Sequence, residues 1–159
     1  MDEKILSRLQ AQCARAEYSE EDVLRKALKA LGAAPDTKER AVSLVSSLVG
    51  EGYVSNRRYA AAFAREKSSL TGWGPVKIRF ALGLKGISKE DIDAALESVD
   101  KPAAESKLMK LLTSRMHSLA DDPQLRLKLL RFALGRGYDY SDVEPAVNAL
   151  LKQSRQSGS

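Results

Sequence analysis

Few side chains in this sequence could carry out catalysis or hold a metal ion. The chain has one histidine, His117, and one cysteine, Cys13. A nucleophile needs a base within reach, and nothing in the sequence pairs these two residues. One thiol also leaves no disulfide framework and no second sulfur at metal-ligand spacing. Acidic residues occur at helix starts and on polar faces rather than as catalytic pairs. The expectation is a protein that is not an enzyme and needs no metal or cofactor.

Two glycines near lysines, Gly83 and Gly86, invite comparison with a phosphate-binding loop. Such a loop needs the pattern Gly-x-x-x-x-Gly-Lys-Ser/Thr after a strand, and the sequence has neither. Pro75 suits the first turn of a helix, and Gly86 suits the left-handed residue that ends one. The two glycines are therefore interpreted as part of a helix and its terminus.

Basic residues are the most distinctive chemical feature, and they are unevenly distributed. The net charge is +5. From Arg57 to Lys89 there are eight Lys or Arg and one acid, whereas the first 22 residues hold six acids and three basic residues. From Pro123 to Tyr138 there are four basic residues and no acid. A local basic surface is typical of a protein whose partner is nucleic acid or an acidic protein.

Two groups of basic side chains, one in the middle of the chain and one after Pro123, are the candidate binding residues. They are Arg57, Arg58, Lys77, Arg79, Lys85, Lys128, Arg131 and Arg136. Helical spacing puts Lys77 and Lys85 on one strip of a helix. Charge alone does not distinguish a phosphate backbone from an acidic protein, or either of them from a solvated face.

Helical periodicity accounts for the whole chain, and no segment shows the strict alternation of a sheet strand. Capping residues such as Ser19, Ser88 and Asp100 precede periodic segments, with glycines or prolines between the segments. These signals predict an all-α protein of about nine helices.

The helix that begins at Pro75 lies at the centre of this organisation. Its apolar residues fall on two sides: Val76, Phe80 and Leu84 on one, and Ile78 and Leu82 on the other. A helix that is apolar on two sides is expected to pack between two neighbours. Trp73, just before it, either stacks on a nucleic-acid base or fills a joint between repeats.

Three glycines indicate an internal repeat. Gly32, Gly86 and Gly137 each follow a basic and apolar helix and precede a new helix start, at intervals of 54 and 51 residues. This pattern predicts three tandem three-helix repeats in an elongated array. The predicted repeats are residues 1–54, 55–100 and 101–153, and residues 154–159 form a disordered tail.

Composition and length exclude several classes of protein. The chain has 159 residues, of which 43% are hydrophobic and 30% charged, so disorder is not expected. It has no run of about 18 apolar residues, and its first residues are too acidic for a signal peptide. We expect a monomeric, cytoplasmic protein that does not associate with a membrane.

Short sequence motifs, which occur in order between residues 10 and 150, together form a characteristic pattern. They are Ala14–Ser19, Leu24–Leu28, Leu48–Val54, Arg58–Ala60, Trp73–Ile87 and Arg131–Tyr138. The most specific reads Trp-Gly-Pro-x-Lys-Ile-Arg, followed by Leu-x-x-Lys-Gly-Ile. Together these segments resemble the RecX family of recombinase regulators. The chain departs from the family pattern at Asn56, where aspartate is usual.

The resemblance implies an all-α protein of tandem three-helix repeats that binds RecA, the strand-exchange ATPase. It implies binding above all to the RecA filament on single-stranded DNA, along the filament groove or where the filament grows. ATP hydrolysis and recombination would be suppressed, which implies a role in DNA repair and the SOS response. The alternative is a helical protein that binds single- or double-stranded DNA directly through its basic faces, without RecA.

Overall fold

The structure, a computed structural model, describes residues 2–157 and is built from helices. In chain order they are α1 (Asp2–Arg15), α2 (Glu20–Leu31), α3 (Thr37–Gly50), α4 (Asn56–Glu66), α5 (Pro75–Leu84), α6 (Lys89–Glu97), α7 (Lys101–Ser118), α8 (Leu125–Gly135) and α9 (Tyr140–Ser157). A π-helical turn, Lys67–Thr71, directly follows α4. Residues 2–157 contain no strand. The predicted all-α fold is confirmed.

Helix starts follow the capping residues that the sequence indicates. The Ser19 hydroxyl accepts a hydrogen bond from the Asp22 N–H, and the Asp22 carboxylate accepts one from the Ser19 N–H. This capping box satisfies backbone donors that a helix start leaves unpaired. The Asp100 carboxylate likewise accepts from the Ala103 N–H at the start of α7. Gly86, after α5, has a φ of 76°, as predicted for a left-handed helix end.

The last helix extends beyond the predicted end of the third repeat. It begins at Tyr140 and contains Pro145. Residues 154–157 were predicted to belong to the disordered tail but are helical. Arg155 and Gln156 are good helix formers, so nothing in their propensity stops the helix earlier. Residues 158 and 159 lie outside the described residues.

Backbone contacts divide the chain into two compact units. The first unit contains the residues up to Ala62 together with Leu82–Ala95. The second contains Phe63–Ala81 together with the residues from Leu96 onward. These ranges differ from the predicted repeat boundaries, and the three repeats stay a prediction.

Each unit has its own apolar core. In the first unit α1, α2 and α3 bury one another, with Val23, Ala27, Ala41 and Leu48 fully inaccessible to solvent. In the second unit the core comes from α7, α8 and α9, and its fully inaccessible residues are Leu112, Leu129, Ala133, Val143 and Val147. Full burial of a Leu or Val side chain contributes about 1.5–3 kcal/mol relative to exposure. The candidates Lys128 and Arg131 lie on α8, one of the helices that form the second core.

Candidate interaction surface

The connection between α4 and α5 is a π-helical turn that ends in a left-handed glycine. Gly72, which follows Lys67–Thr71, has a φ of 77° and a ψ of 29°. The Lys67 carbonyl accepts a hydrogen bond from the Trp73 N–H at 2.8 Å. Turns of this type are rare and frequently occur at functional sites. The sequence pattern does not indicate this turn, because its residues continue the helical run of α4.

The start of α5 is bound to the turn between α8 and α9 through the backbone. The Gly74 N–H donates to the Arg136 carbonyl at 2.7 Å, and the Val76 N–H donates to the Gly137 carbonyl at 2.9 Å. A helix start offers no intrahelical partner for these N–H groups. The Arg136 side chain adds a hydrogen bond from Nη2 to the Thr71 carbonyl. The candidate residue Arg136 therefore joins two segments of the second unit.

Trp73 lies within cation–π distance of two lysines. The Nζ atoms of Lys67 and Lys77 are 4.8 and 4.6 Å from the Trp73 ring centroid. The Phe63 ring meets the Trp73 ring edge-on, with 6.0 Å between centroids and 70° between planes. A cation–π contact contributes about 0.5–1 kcal/mol at an exposed site. This geometry favours packing over base stacking as the role of Trp73, and it engages Lys77 within the fold.

Lys85 forms an ion pair inside the first unit. Its Nζ is 2.6 Å from Oδ1 of Asp22, whose side chain is 13% exposed. Burial raises the pKa of Asp22, but hydrogen bonds from Lys85 and Ser19 outweigh burial and hold the pKa below its ordinary value. The hydrogen bond to Asp22 raises the pKa of Lys85. Because Asp22 also closes the capping box of α2, Lys85 supports the start of that helix.

The ion pair predicts a pH-dependent loss of stability in Lys85→Met, which keeps the chain length and removes the charge. The lowered pKa of Asp22 means that its contribution is present above about pH 3.9 and is lost as the pH falls through the folded-state pKa. The raised pKa of Lys85 means that its contribution is present below about pH 10.4 and is lost as the pH rises through the folded-state pKa. Between these limits the free energy of unfolding should fall by about 1 kcal/mol, a value that allows for solvent screening.

Urea unfolding of the parent and Lys85→Met from acid to alkaline pH measures this dependence. The difference between the two proteins should be largest near neutral pH and shrink toward both extremes. Lys152, which is exposed on α9, supplies the matched control. Lys152→Met should change the unfolding free energy by no more than about 0.5 kcal/mol. A difference between parent and Lys85→Met that stays the same at every pH would contradict the prediction.

The two arginines at the start of α4 differ in their partners. Arg58 donates through Nε to the Glu17 carboxylate at 3.0 Å and through Nη2 to the Gly52 carbonyl at 2.8 Å. The Arg57 side chain is 71% exposed, and its guanidinium lies 4.0 Å from the Asp91 carboxylate. Exposed pairs at that distance contribute little. Arg57 can therefore reach a partner, whereas Arg58 joins segments of the first unit.

The candidate residues on α8 also differ in whether they have a partner within the chain. The Lys128 Nζ is 2.6 Å from the Asp122 carboxylate, and this hydrogen bond lowers the pKa of Asp122. Arg131 is exposed and has no side-chain hydrogen bond or ion pair with any residue whose side chain the structure describes. Arg79, on α5, is also exposed. The candidates thus form no single cluster: several have partners in their own unit, and Arg57, Arg79 and Arg131 are among those that are exposed.

One side of α5 is apolar and exposed, contrary to the expectation from the sequence. Val76, Phe80 and Leu84 are 51%, 67% and 70% exposed. Ile78 and Leu82, on the other apolar side, are 1% and 0% exposed. The prediction that α5 packs between two neighbours is therefore wrong for the first side. Both sides have the same periodicity, so periodicity alone cannot tell which one is covered.

No signal in the sequence marked the exposed side. At 100° per residue, Arg79 lies midway between Val76 and Leu82, so its charge favours neither side. Gly83 falls next to Val76, but glycine is common at buried positions as well.

The described residues offer no site for metal or covalent chemistry. No three His, Cys, Asp or Glu side chains among them lie close enough to hold a metal ion. Cys13 is buried in the core of the first unit, and burial raises the pKa of its thiol. None of the helices described is long and apolar enough to span a membrane.

Known proteins are similar in sequence to this chain over most of its length. The family model described as RecX, second three-helix domain, matches residues 55–96. The regulatory protein RecX of Chromohalobacter salexigens is 36% identical over 142 residues, which cover 89% of this chain and 90% of that protein. This chain belongs to the RecX family. The regulatory protein RecX of Xanthomonas oryzae pv. oryzae is 34% identical over 134 residues, 83% of this chain and 79% of that protein.

Solved structures share the fold. A crystal structure of regulatory protein RecX matches with a TM-score of 0.78 and 24% identity, covering 92% of this chain and 70% of that one. A crystal structure of RecX from Lactobacillus salivarius matches with a TM-score of 0.76 and 18% identity, covering 93% of this chain and 95% of that one. The all-α architecture is thus the one found in RecX crystal structures.

The departure from the RecX pattern at Asn56 has a local explanation. The Asn56 Oδ1 accepts a hydrogen bond from the Glu20 N–H at 2.8 Å, and its Nδ2 donates to the Glu20 carboxylate at 2.6 Å. Aspartate could accept the first hydrogen bond but would place a second negative charge against Glu20. The amide at position 56 is therefore matched to the glutamate at position 20.

Proposed function

We propose that this RecX protein is a non-enzymatic regulator of homologous recombination and DNA repair that binds RecA and its filament on single-stranded DNA. It inhibits the ATPase and strand-exchange activities of RecA. The observation that carries the proposal is membership of the RecX family, with 36% identity to a regulatory protein RecX across 89% of the chain. A cytoplasmic location, where RecA and DNA are found, belongs to the same proposal.

Inhibition of this kind requires binding without bond-making chemistry. A protein on the surface where RecA subunits add prevents filament growth. A protein in the groove where DNA enters prevents strand exchange. The family relationship is the support for both modes, and the proposal covers either one.

The exposed cations are the residues that we assign to direct contact with the filament. Arg57 and Arg131 face solvent, and charge at the rim of an interface speeds association and selects partners of opposite sign. The remaining candidates interact with other residues of the chain. Lys85 and Lys128 are examples, since carboxylates hold their ammonium groups at 2.6 Å.

Direct binding to DNA without RecA is the second candidate function. The net charge of +5 and the exposed arginines favour it. Binding of this type depends steeply on salt, by about 0.7 log units in affinity per phosphate contact for each log unit of salt on single strands. A requirement for RecA would instead give much tighter binding to coated DNA than to bare DNA at one salt concentration.

The proposal is tested by two measurements on purified components. Hydrolysis of ATP by RecA on single-stranded DNA should fall as the chain is added. Anisotropy of a labelled oligonucleotide should show binding to the RecA-coated strand at concentrations that leave the bare strand unbound. Equal affinity for bare and coated strands, with no effect on hydrolysis, would favour the second candidate function.

The assigned contacts predict the behaviour of a charge variant. Arg57→Gln combined with Arg131→Gln should raise the concentration for half-maximal inhibition about tenfold, which corresponds to about 1.4 kcal/mol of binding free energy. Arg8 in α1 is also exposed and unpartnered among the described side chains, so Arg8→Gln is the matched control. The control should inhibit like the parent. Equal inhibition by the double variant and the parent would remove these two arginines from the interface.

A further inference from the structure

We infer that the turn before α5 is a binding site for a phosphate group, which four half-buried cations of the second unit hold. We call these cations the turn site; they are Lys67, Lys77, Lys107 and Arg136. The inference goes beyond the proposed function, because it assigns a ligand that the protein binds in the absence of RecA. It also involves residues other than Arg57 and Arg131, the two arginines assigned to filament contact.

Trp73 brings two of the four cations to the turn. The Nζ atoms of Lys67 and Lys77 lie 4.8 and 4.6 Å from its ring centroid, and both lysine side chains are half-buried. The ring attracts an ammonium group through its quadrupole but has no negative charge that could neutralise it. Each ammonium has three N–H donors, and the ring face engages only part of them. Both lysines therefore keep charge and donors for an anion.

Gly72, the residue before Trp73, brings the other two cations to the turn. A Cβ atom at this position would lie 3.3 Å from Nη2 of Arg136 and 3.3 Å from Cγ of Lys107, so the missing side chain lets both approach the backbone. Arg136 donates through Nη2 to the Thr71 carbonyl. Its Nε is buried and has no hydrogen-bond partner within the described part of the chain. The fold therefore compensates the charge of Arg136 only in part.

Half-buried cations in the rest of the described chain have different surroundings. Arg40, Lys85 and Lys128 each pair with an aspartate. Lys26 has no such partner, but it is a single cation over the Tyr18 ring. In the turn site, by contrast, none of the four cations pairs with a carboxylate among the side chains that the structure describes. Uncompensated half-buried charge is therefore concentrated at two adjacent residues of the turn.

The sequence around the turn supplies no countercharge. No Asp or Glu occurs from Lys67 to Lys89. Glu66 is exposed and forms no ion pair with any residue whose side chain the structure describes. A charge that is partly withdrawn from water without a partner destabilises the fold, and like charges that lie close together repel each other. An anion bound at the turn offsets both effects.

The concentration of positive charge favours phosphate over carboxylate. A carboxylate has one negative charge and two oxygen atoms, whereas a terminal phosphate has a charge of about −1.5 to −2 and three acceptor oxygens. A DNA strand offers successive phosphates, each with one negative charge. Lysine ammonium groups bind phosphate as compact point charges. The ligand is therefore a phosphate group, which belongs either to the end of a small molecule or to a DNA backbone, and separate probes distinguish these sources.

Isothermal titration calorimetry at low ionic strength, in a buffer free of phosphate and sulfate, tests the inference. One probe is inorganic pyrophosphate, which has only terminal phosphates. The other is a thymidine oligonucleotide without a terminal phosphate, which has only backbone phosphates. The parent should bind at least one probe. Lys67→Gln combined with Lys107→Gln should weaken that binding at least about tenfold, because two of the four cations lose their charge.

Lys101→Gln combined with Lys152→Gln is the matched control. Both lysines are exposed on helices of the second unit, and this control has the same net charge as the double variant of the turn site. It should bind the probe within about twofold of the parent, as surface changes outside a binding site do.

Lys107→Gln alone leaves both lysine contacts to Trp73 in place. This variant replaces the double variant if circular dichroism shows that the double variant is unfolded, and it should weaken binding about threefold. Thermal unfolding gives a second readout, because a ligand that binds only the folded state raises the unfolding midpoint. The probe should raise the midpoint of the parent and of the control more than that of the turn-site variant.

Each result supports the inference or overturns it. Weakened binding of pyrophosphate in the turn-site variant, but not in the control, supports a terminal phosphate as the ligand. The same pattern with the oligonucleotide supports the DNA backbone. If the parent binds neither probe, or if the turn-site variant and the control bind alike, the inference is overturned, whatever the effect of the protein on RecA. Hexaglutamate that binds more tightly than either probe, with the same dependence on Lys67 and Lys107, would make an acidic protein segment the ligand and overturn the inference as well.

Discussion

Gly74→Ala should destabilise this RecX protein by at least about 3 kcal/mol, the largest effect that we expect from a single methyl group. A Cβ atom at position 74 would lie 2.4 Å from the Gly137 carbonyl oxygen and 2.6 Å from the Tyr138 nitrogen. Both are backbone atoms, so no side-chain rotation relieves the overlap. The start of α5 would have to move away from the turn after α8.

That movement also breaks hydrogen bonds. The N–H groups of Gly74 and Val76 donate to the carbonyls of Arg136 and Gly137 at 2.7 and 2.9 Å. A buried backbone donor that loses its partner costs about 1–3 kcal/mol. The overlap and the lost hydrogen bonds act together. We therefore expect Gly74→Ala to lower the free energy of unfolding far more than the substitution of a surface glycine does.

Denaturant unfolding followed by circular dichroism measures the loss. Gly135→Ala in α8 is the control, because a methyl group there would meet no atom within 4 Å. It should leave the midpoint unchanged or raise it, since alanine favours the helix. Gly137→Ala should resemble Gly74→Ala, because its Cβ would lie 2.3 Å from the Lys77 Cβ and its φ is 96°. A midpoint for Gly74→Ala close to that of the parent would show that the two segments do not approach so closely.

The local signals in the sequence predicted local structure well. Helix starts and ends depend on neighbouring residues, so the Ser19 capping box and the left-handed Gly86 could be found from the sequence alone. The RecX segments identified the family because their residue types and order are present in the sequence itself. The structural signals share a short distance along the chain between the interacting groups.

Features that depend on distant residues could not be predicted in this way. Lys85 looked like part of a free basic strip, yet its partner is Asp22, 63 residues earlier. Arg136 looked like a surface cation, yet its side chain reaches the Thr71 carbonyl, 65 residues earlier. A run of basic residues reveals charge but not the carboxylates and carbonyls that the fold brings to it. Side-chain exposure on α5 could not be predicted either, because its buried and exposed apolar sides have the same helical spacing.

The second large effect is expected at Trp73, whose ring contacts Phe63, Lys67 and Lys77. Trp73→Ala should lower the free energy of unfolding by about 2–3 kcal/mol, through lost apolar contact and two lost cation–π contacts. Trp73→Phe retains a ring for both lysines and should lose only about 1 kcal/mol. Urea unfolding followed by circular dichroism compares both variants with the parent.

Trp73 is the only tryptophan, so the emission of the parent reports on this ring alone. Two ammonium groups lie within 4.8 Å of the ring centroid, where they compete with a nucleic-acid base for the ring. Bare single-stranded DNA should therefore change the emission little, and Trp73→Phe should bind the RecA filament like the parent. Base stacking, which contributes about 1–3 kcal/mol per base, predicts the opposite pattern. Strong quenching by bare DNA, with unchanged stability in Trp73→Ala, would show that the ring serves DNA binding rather than packing.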